Sequence, residues 1–232
     1  HGVKCEFSPM DATRTEPDFL RKICLAAQDA GMDTLNTPDT VGCMIPRTTF
    51  EFFKELKTYI TVPLSAHCHN DFGLAVANSL AAIEAGAEQI HTAVNGLGER
   101  AGNAALEEIV TTLHVVYKYH TNVNTRLLYS TSRMVASLSG VAVQVNKAIV
   151  GENAFAHESG IHTRGVTQQP LTFEPISPEL VGRTRKLVAG KLAGTRGIQA
   201  ELKEIGIHPN EEQLSEIVKR VKELGDKGKM VT

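Results

Sequence analysis

The chain has 232 residues, of which 42% are hydrophobic and 5% aromatic, and its formal net charge is −2. A chain of this length can bury a full core in one large domain or in one domain with an appendage, and its balanced charge gives no basis for a nucleic-acid or membrane-surface partner. No apolar run reaches the ~18 residues of a membrane span and no signal peptide opens the chain, so we expect a soluble, cytoplasmic protein.

The first 120 residues repeat a pattern of strand, polar loop and helix. Strands are predicted to start near residues 3, 33, 64 and 89, and helices are predicted over about 18–30, 46–59, 72–85 and 104–116. Such tandem units are typical of a parallel sheet, and four of them predict half of a (β/α)8 TIM barrel, which needs about 250 residues in full. A doubly wound sheet is the alternative, disfavoured because no G-x-G-x-x-G sequence follows a strand and opens a helix.

The pattern changes after Tyr119, and residues 121–232 are predicted to be mainly helical, with helices over about 127–138, 178–182, 198–205 and 211–224. We therefore divide the α/β chain into a half-barrel, 1–120, and helical subdomains, 121–232. The segment 149–164 carries His157, Glu158 and His162, and this density of titratable groups indicates function more than packing. A basic cluster is interpreted as a solvated face, with an anion contact as the alternative: Arg183, Arg185, Lys186, Lys191 and Arg196.

The cysteines and the first residue bear on the environment of the protein. Cys5, Cys24, Cys43 and Cys68 form no C-x-x-C pair, and their apolar surroundings favour buried free thiols over two disulfides. His1 stands where an initiator Met is expected, directly before a strand. We interpret the sequence as a fragment, or as a processed or tag-joined chain.

Two histidines mark the third predicted strand. Alternation places His67 and His69 on one face of residues 64–68 and Cys68 on the other. Two imidazoles one residue apart can bind the same cation, although isolated histidines are more often structural. The pair cannot complete a metal site alone, and Asn103, Asn95 and Glu6 are the available oxygen donors.

The other predicted strand ends carry further polar candidates. Glu6 lies on the even face of the first strand, either as a carboxylate in the same chamber as the histidines or as a solvated edge residue. Asp39 and Thr40 follow the second strand and are candidate substrate contacts. The alternative for Asp39 is a turn after Pro38.

Two long motifs carry a family resemblance. H-C-H-N-D-F-G-L-A-V-A-N-S-L-A-A-I-E-A-G-A and N-G-L-G-E-R-A-G-N-A-A-L-E-E resemble the signature of 2-isopropylmalate synthase, (R)-citramalate synthase and homocitrate synthase, which are aldolase-type barrel metallolyases. The later stretch V-G-E-N-A-F-A-H-E-S-G-I-H resembles the linker subdomains of the same enzymes. The resemblance extends over nearly the whole chain. It implies the second half of a catalytic TIM barrel followed by linker subdomains.

The resemblance also implies an activity and a site. Enzymes of this family condense acetyl-CoA with a 2-oxo acid. The resemblance implies a divalent metal, Mg²⁺, Mn²⁺ or Zn²⁺, held by His67, His69 and Asn103. Glu6 and Thr40 are implied to line the 2-oxo acid pocket. Glu6 and His162 are the candidate bases, with His162 reaching the barrel of a partner in a homodimer.

This sequence departs from the family pattern in three ways. The R-D-G-x-Q segment is absent, and with it a metal-binding Asp and a carboxylate-binding Arg. Phe173 stands where many members carry a pocket Tyr, and the C-terminal effector domain is also absent. We therefore expect the fragment alone to be inactive.

The product could be 2-isopropylmalate, which we favour, or citramalate or homocitrate. Three other functions compete with these synthases: a 3-hydroxy-3-methylglutaryl-CoA lyase, a carboxyltransferase barrel, and a non-catalytic fragment that associates with a complementary half-barrel. The lyases place a catalytic Cys in a late loop, and the loop 95–103 has none.

Overall fold

The computed structural model describes residues 2–157, 174–184, 186–187 and 195–226. The chain divides into two units, residues 1–123 and 124–232. The assignment of 1–120 to a catalytic half-barrel and of 121–232 to linker subdomains stays a prediction.

The first unit contains the four predicted repeats of strand and helix. Its strands are β1 (Glu6–Phe7), β2 (Thr34–Asp39), β3 (Leu64–Cys68) and β4 (Gln89–Ile90), and its helices are α1 (Pro17–Asp29), α2 (Pro46–Leu56), α3 (Ala75–Glu84) and α4 (Leu106–Val115). The outer strands β1 and β4 are shorter than their sequence patterns predict. The helices begin and end within a few residues of their predicted limits.

The four strands form one parallel sheet in the order β1-β2-β3-β4. Crossovers between parallel strands are right-handed, so a strand order that never reverses places all the helices on one face of the sheet. Leu35 and Leu64 pair across β2 and β3 and are fully buried against that layer, together with Leu56 of α2. This one-sided layering is that of a barrel wall and not of a doubly wound sheet.

The strand register brings polar side chains together on the other face. Ser65 pairs with Gln89, while Glu6 pairs with Thr34, two residues before the partner of Ser65 in β2. Because side chains alternate along a strand, Glu6, Ser65, His67 and Gln89 share the face opposite the helices. The predicted even face of β1 therefore coincides with the histidine face of β3.

The second unit is mainly helical among its described residues, as predicted. It contains α5 (Leu128–Ser139), a 3₁₀ turn at Pro178–Val181, α6 (Thr195–Glu204) and α7 (Glu211–Asp226), and a short parallel pair, β5 (Ala156–His157) and β6 (Lys186–Leu187). The apolar stripe of α7 packs against α6 around Ile198 and Val218. Across the described residues, no helix is long and apolar enough to cross a membrane.

Arg183 is a correction to the sequence analysis, which placed it on a solvated face. The residue is buried, its guanidinium donates hydrogen bonds to the carbonyls of Gly151 and Glu152, and it lies 4.7 Å from the ring centroid of Tyr129 and 5.6 Å from that of Phe155. Carbonyl acceptors and aromatic faces replace the hydration of the charge. Basic composition alone does not reveal such a partner set. Arg185 and Lys191 lie outside the described residues.

The cysteines are free, as predicted, but only two of the four are buried. Cys24 and Cys68 are enclosed in the core, whereas Cys5 and Cys43 are exposed, so the prediction of burial is wrong for the latter two. Cys5 precedes β1 at the edge of the sheet, and Cys43 lies in the loop after β2. The apolar residues beside each cysteine in the sequence do not cover its side chain in the structure. Burial raises the pKa of the Cys24 thiol to about 11 and that of Cys68 to about 12.

We expect Arg183→Met to lower the free energy of unfolding of the second unit by roughly 2–4 kcal/mol, because a buried and a part-buried carbonyl lose a charged donor. Thermal and urea unfolding of the full-length protein measure this change. Arg220→Met, on the exposed face of α7, is the matched control and should alter stability by less than about 0.5 kcal/mol. Equal effects of the two substitutions would contradict the structural role given to Arg183.

We expect two classes of thiol in the native protein at pH 8, since the thiolate is the reactive form. Iodoacetamide should modify Cys5 and Cys43 and leave Cys24 and Cys68 intact until the protein is unfolded. Burial and the nearby Asp39 carboxylate raise the pKa of Cys43, so Cys5 should react before Cys43. Peptide mass mapping over time checks the order, and early modification of Cys68 would contradict it.

Candidate functional site

The two histidines predicted to share a face of β3 point toward the same position. Nε2 of His67 lies 3.2 Å from Nε2 of His69, and the two half-buried rings stand edge to face with centroids 4.9 Å apart. Two nitrogens bound to one cation in tetrahedral or octahedral geometry are about 3.0–3.4 Å apart. The observed separation therefore matches that of two ligands of a shared ion.

Asn103 is brought to the pair by the glycine loop after β4. Its backbone bridges to His69, and its side-chain amide lies 3.3 Å from Nε2 of His67 and 3.4 Å from the carbonyl of Cys68. The amide nitrogen and oxygen have nearly the same shape, so a half-turn of the amide presents its oxygen at the same place. The structure thus assembles the three residues named as metal ligands.

The loop can make this approach because of glycine. Gly102 has φ +91°, and a Cβ there would overlap the carbonyl of Gly96. That carbonyl accepts a hydrogen bond from the backbone N–H of Asn103 at 3.0 Å. The Gly102 carbonyl in turn accepts from the Asn70 N–H at 2.9 Å. These contacts fix the position of Asn103 beside the carboxyl end of β3.

Glu6 belongs to the same face, and it reaches the pair through a residue that the sequence analysis missed. His91 lies 3.2 Å from His67, between their Nδ1 atoms, and its Nε2 is 3.1 Å from Glu6 Oε1. The amide of Gln89 donates to the other oxygen of Glu6 at 2.9 Å. Alternation from Gln89 along β4 would have placed His91 on the histidine face.

Thr40 lies apart from the pair. Its hydroxyl accepts from the backbone N–H of Asp11 at 2.8 Å, and its carbonyl accepts from Arg100 at 2.8 Å. Among the described contacts, none links it to His67, His69 or Asn103. The role in substrate binding stays a prediction.

The carboxylate of Asp39 is hydrogen-bonded to the loop that follows β2. Its two oxygens accept from the backbone N–H groups of Cys43 and Met44 at 3.1 and 3.0 Å, and Thr13 donates to it at 3.2 Å. The structure therefore favours the turn-forming interpretation of Asp39 over the substrate contact.

Arg100 connects the loops that follow β2, β3 and β4. Its guanidinium donates to both oxygens of Asp71, at 2.7 and 2.9 Å, and also to the carbonyl of Thr40. This hydrogen-bonded pair lowers the pKa of the Asp71 carboxyl. The ends of three adjacent strands are thereby held by one side chain.

The electrostatic environment of His67 favours the neutral form of its imidazole. Burial lowers its pKa, the nearby rings of His69 and His91 lower it further, and Glu6 opposes the shift. A neutral imidazole has the free lone pair that metal coordination requires. Nδ1 of His69 is buried without a hydrogen-bond partner among the described groups, so the protein leaves this polar atom uncompensated.

The donor set fits a divalent cation only in part. Over the described ranges, no group of three or more His, Cys, Asp or Glu side chains is arranged to hold a metal ion. His67, His69 and Asn103 would supply two nitrogens and one oxygen, a mixed set suited to Mg²⁺, Mn²⁺ or Zn²⁺. Catalytic ions commonly have three protein ligands and leave positions open. His162 and Phe173 lie outside the described residues.

A parallel β/α half-barrel with polar side chains at the carboxyl ends of its strands defines the class: an α/β-barrel protein with a candidate metal site. The family is then shown directly, because residues 1–135 match the HMGL-like model and residues 149–229 match the homocitrate synthase post-HMGL domain-like model. The chain belongs to the HMGL-like family. The predicted fold class, half of a TIM barrel followed by a mainly helical part, is confirmed, and so is the resemblance.

Similar proteins bear related names. A 2-isopropylmalate synthase of Methanocaldococcus jannaschii is 60% identical over 100% of this chain and 46% of its own length. A protein of Methanothermobacter thermautotrophicus named "Putative (R)-citramalate synthase CimA" is 53% identical over 100% of this chain and 47% of its own.

Among solved structures, an HMG-CoA lyase of Acinetobacter baumannii in complex with coenzyme A and 3-methylmalate matches with 26% identity and a TM-score of 0.50, over 54% of this chain and 43% of its own. The chain spans about half the length of the curated relatives it matches.

Gly102→Ala should destabilise the protein more than Gly31→Ala, which provides a matched control. The two glycines have φ of +91° and +93°, but a Cβ at Gly31 meets nothing within 4 Å while one at Gly102 overlaps the backbone of Gly96. Both substitutions strain φ by about 1–2 kcal/mol, and only the first adds a clash. Thermal unfolding of both variants measures the difference. Equal losses would show that the loop does not need its close approach.

Proposed function

We propose that this chain forms the metal-binding half of an acetyl-CoA-dependent acyltransferase. The full-length enzyme would condense acetyl-CoA with a 2-oxo acid and release CoA and a 2-hydroxy dicarboxylic acid. We favour the 2-isopropylmalate synthase reaction of leucine biosynthesis, in which the 2-oxo acid is 2-oxoisovalerate. The name of the Methanocaldococcus jannaschii relative supports this choice, and the citramalate synthase name keeps pyruvate as the alternative.

One observation carries the proposal: the imidazoles of His67 and His69 converge within 3.2 Å beside the amide of Asn103. His67 and His69 lie at the carboxyl end of β3, where barrel enzymes place their chemistry, and the glycine loop brings Asn103 beside them. We propose that they hold the divalent cation. A bound Mg²⁺, Mn²⁺ or Zn²⁺ would act as a Lewis acid on the ketone of the 2-oxo acid.

The remaining residues are proposed to bind substrate and to move a proton. Glu6 has a carboxylate on the same face, and this group can accept a proton from the methyl of acetyl-CoA. His162 is the other candidate base, acting from the linker subdomain of a partner subunit in a homodimer, and the family resemblance is its support. The new carbon–carbon bond then forms at the ketone carbon, and water cleaves the thioester.

Thr40 is proposed to contact the 2-oxo acid. Its hydroxyl oxygen accepts from Asp11, so its hydrogen can still donate to a carboxylate oxygen of the substrate. Arg100 holds the Thr40 carbonyl and so limits movement of this loop.

Other functions of the superfamily predict different products. A lyase of the HMG-CoA type would cleave an acyl-CoA and not condense one, and the absence of Cys from residues 95–103 disfavours it. Homocitrate synthase would use 2-oxoglutarate. A non-catalytic fragment would release no CoA with any 2-oxo acid.

The full-length protein should release CoA from acetyl-CoA with 2-oxoisovalerate, but not with pyruvate or 2-oxoglutarate. Release should stop on chelation and return with Mg²⁺, Mn²⁺ or Zn²⁺, because the Nε2 atoms of His67 and His69 lie 3.2 Å apart, a separation suited to one shared cation. His67→Ala should lower the rate by at least about 100-fold. A thiol-detection assay with each oxo acid in turn measures all three effects.

His114→Ala is the control, since His114 is an exposed residue of α4 outside the site. Its rate should equal that of the wild type. Release that survives both chelation and His67→Ala would refute the metal role. Cleavage of an acyl-CoA substrate without any condensation would favour the lyase.

A further inference from the structure

A continuous row of hydrogen-bonding side chains crosses the helix-free face of the sheet from β1 to β3. Glu6 of β1 contacts His91 after β4, at 3.1 and 3.3 Å from its two oxygens to Nε2. His91 contacts His67 through their Nδ1 atoms at 3.2 Å, and His67 contacts His69 through their Nε2 atoms at 3.2 Å. Of the residues in this row, only His67 and His69 belong to the proposed ligand set.

The donors and acceptors of the row have one consistent arrangement if His67 Nε2 binds a cation. That atom must then carry a lone pair, so the proton of His67 sits on Nδ1 and is donated to Nδ1 of His91. His91 must accept at Nδ1, and its own proton therefore sits on Nε2. There it meets the carboxylate of Glu6, which can only accept. Each hydrogen bond fixes the next.

Gln89 holds the carboxylate from its other side. Its amide nitrogen donates to Glu6 Oε2 at 2.9 Å, and this nitrogen and Nε2 of His91, 3.1 Å apart, are then both donors to Glu6 with no hydrogen bond between them. The carboxylate is thereby held by the amide on one oxygen, while the other faces His91. In its ionised form, before any proton transfer to it, Glu6 is an acceptor that determines the tautomer of the histidine beside it.

We propose that His91 is a positioning residue that fixes the tautomer and the ring orientation of His67, with Glu6 as the acceptor at the end of the row. The inference rests on the proposed function, since it requires a cation at Nε2 of His67. Partners of this kind orient metal-bound imidazoles and typically change metal affinity by about 10–100-fold when removed.

Because His91 and Glu6 are partly exposed, an effect of their removal on metal affinity can be distinguished from an effect on the stability of the fold. The side chains of His91 and Glu6 are 33% and 31% exposed, so their hydrogen bond adds little to the stability of the fold. Their removal should therefore change the affinity for metal much more than the unfolding temperature. The effect would reach the ligand through a single contact, the one between the two Nδ1 atoms.

Two amide substitutions at position 91 provide the test in the full-length protein. The amide of Asn reaches the position of imidazole Nδ1, so His91→Asn can still accept from His67. The amide of Gln extends to the position of Nε2, so His91→Gln keeps the contact with Glu6 but loses the acceptor for His67. Zn²⁺ affinity, measured by competition with a chromogenic chelator, compares these variants with His91→Ala and with the control His114→Asn.

We expect His91→Ala and His91→Gln to bind Zn²⁺ about 10–100-fold more weakly, and His91→Asn to stay within about threefold of the wild type. The ¹⁵N NMR shifts of the zinc-free protein should show His67 protonated at Nδ1 in the wild type and in His91→Asn. Mixed tautomers should appear in His91→Gln. Wild-type affinity in His91→Gln, or equal losses in all three variants, would overturn the positioning role.

The outcomes separate this inference from the proposed function. If the wild type binds Zn²⁺ through His67 and releases CoA, but His91→Gln binds equally well, the inference fails and the function stands. If the wild type binds no Zn²⁺, or His67→Ala binds as the wild type does, the metal site fails and the inference fails with it. Weaker binding in His91→Gln but not in His91→Asn or His114→Asn supports both.

Discussion

The parallel pairing of β3 between β2 and β4 is the constraint on which the rest of this structure depends. It aligns Ser65 with Gln89 and so places His67 on the same face as Glu6 and His91. A slip of one residue would turn both histidines toward the helices and expose the buried Leu64. The burial of the aliphatic residues on one face therefore determines where the polar groups lie on the other.

Much of this arrangement could be predicted from the sequence, because it depends on periodicity and on rigid local chemistry. The repeat of strand and helix implied the parallel sheet, and the alternation within His67, Cys68 and His69 implied the shared face. Asn103 was named from the family motif, and the structure brings it beside His67. Its approach depends on positive φ at Gly102, a conformation that glycine adopts without steric cost.

The rest depends on contacts between residues far apart in the chain, which periodicity does not encode. Arg183 looked like one charge in a solvated cluster, but two carbonyls and two aromatic rings enclose it. Alternation along β4 places His91 on the histidine face, but its contact with Glu6, 85 positions earlier, is seen only in the structure. Cys43 lies among apolar residues in sequence but on an exposed loop in space. In each case tertiary contacts determined the environment of a side chain that its local sequence did not reveal.

The bridging guanidinium of Arg100 reduces the conformational entropy that the loops would lose when a ligand binds. It joins the segments that follow three strands through Asp71 and the Thr40 carbonyl before any ligand is present. Loops joined in this way lose their conformational entropy when the chain folds and not when a small molecule arrives. Interaction free energy at the mouth of the site is then available for affinity and orientation, the advantage of a preorganised site.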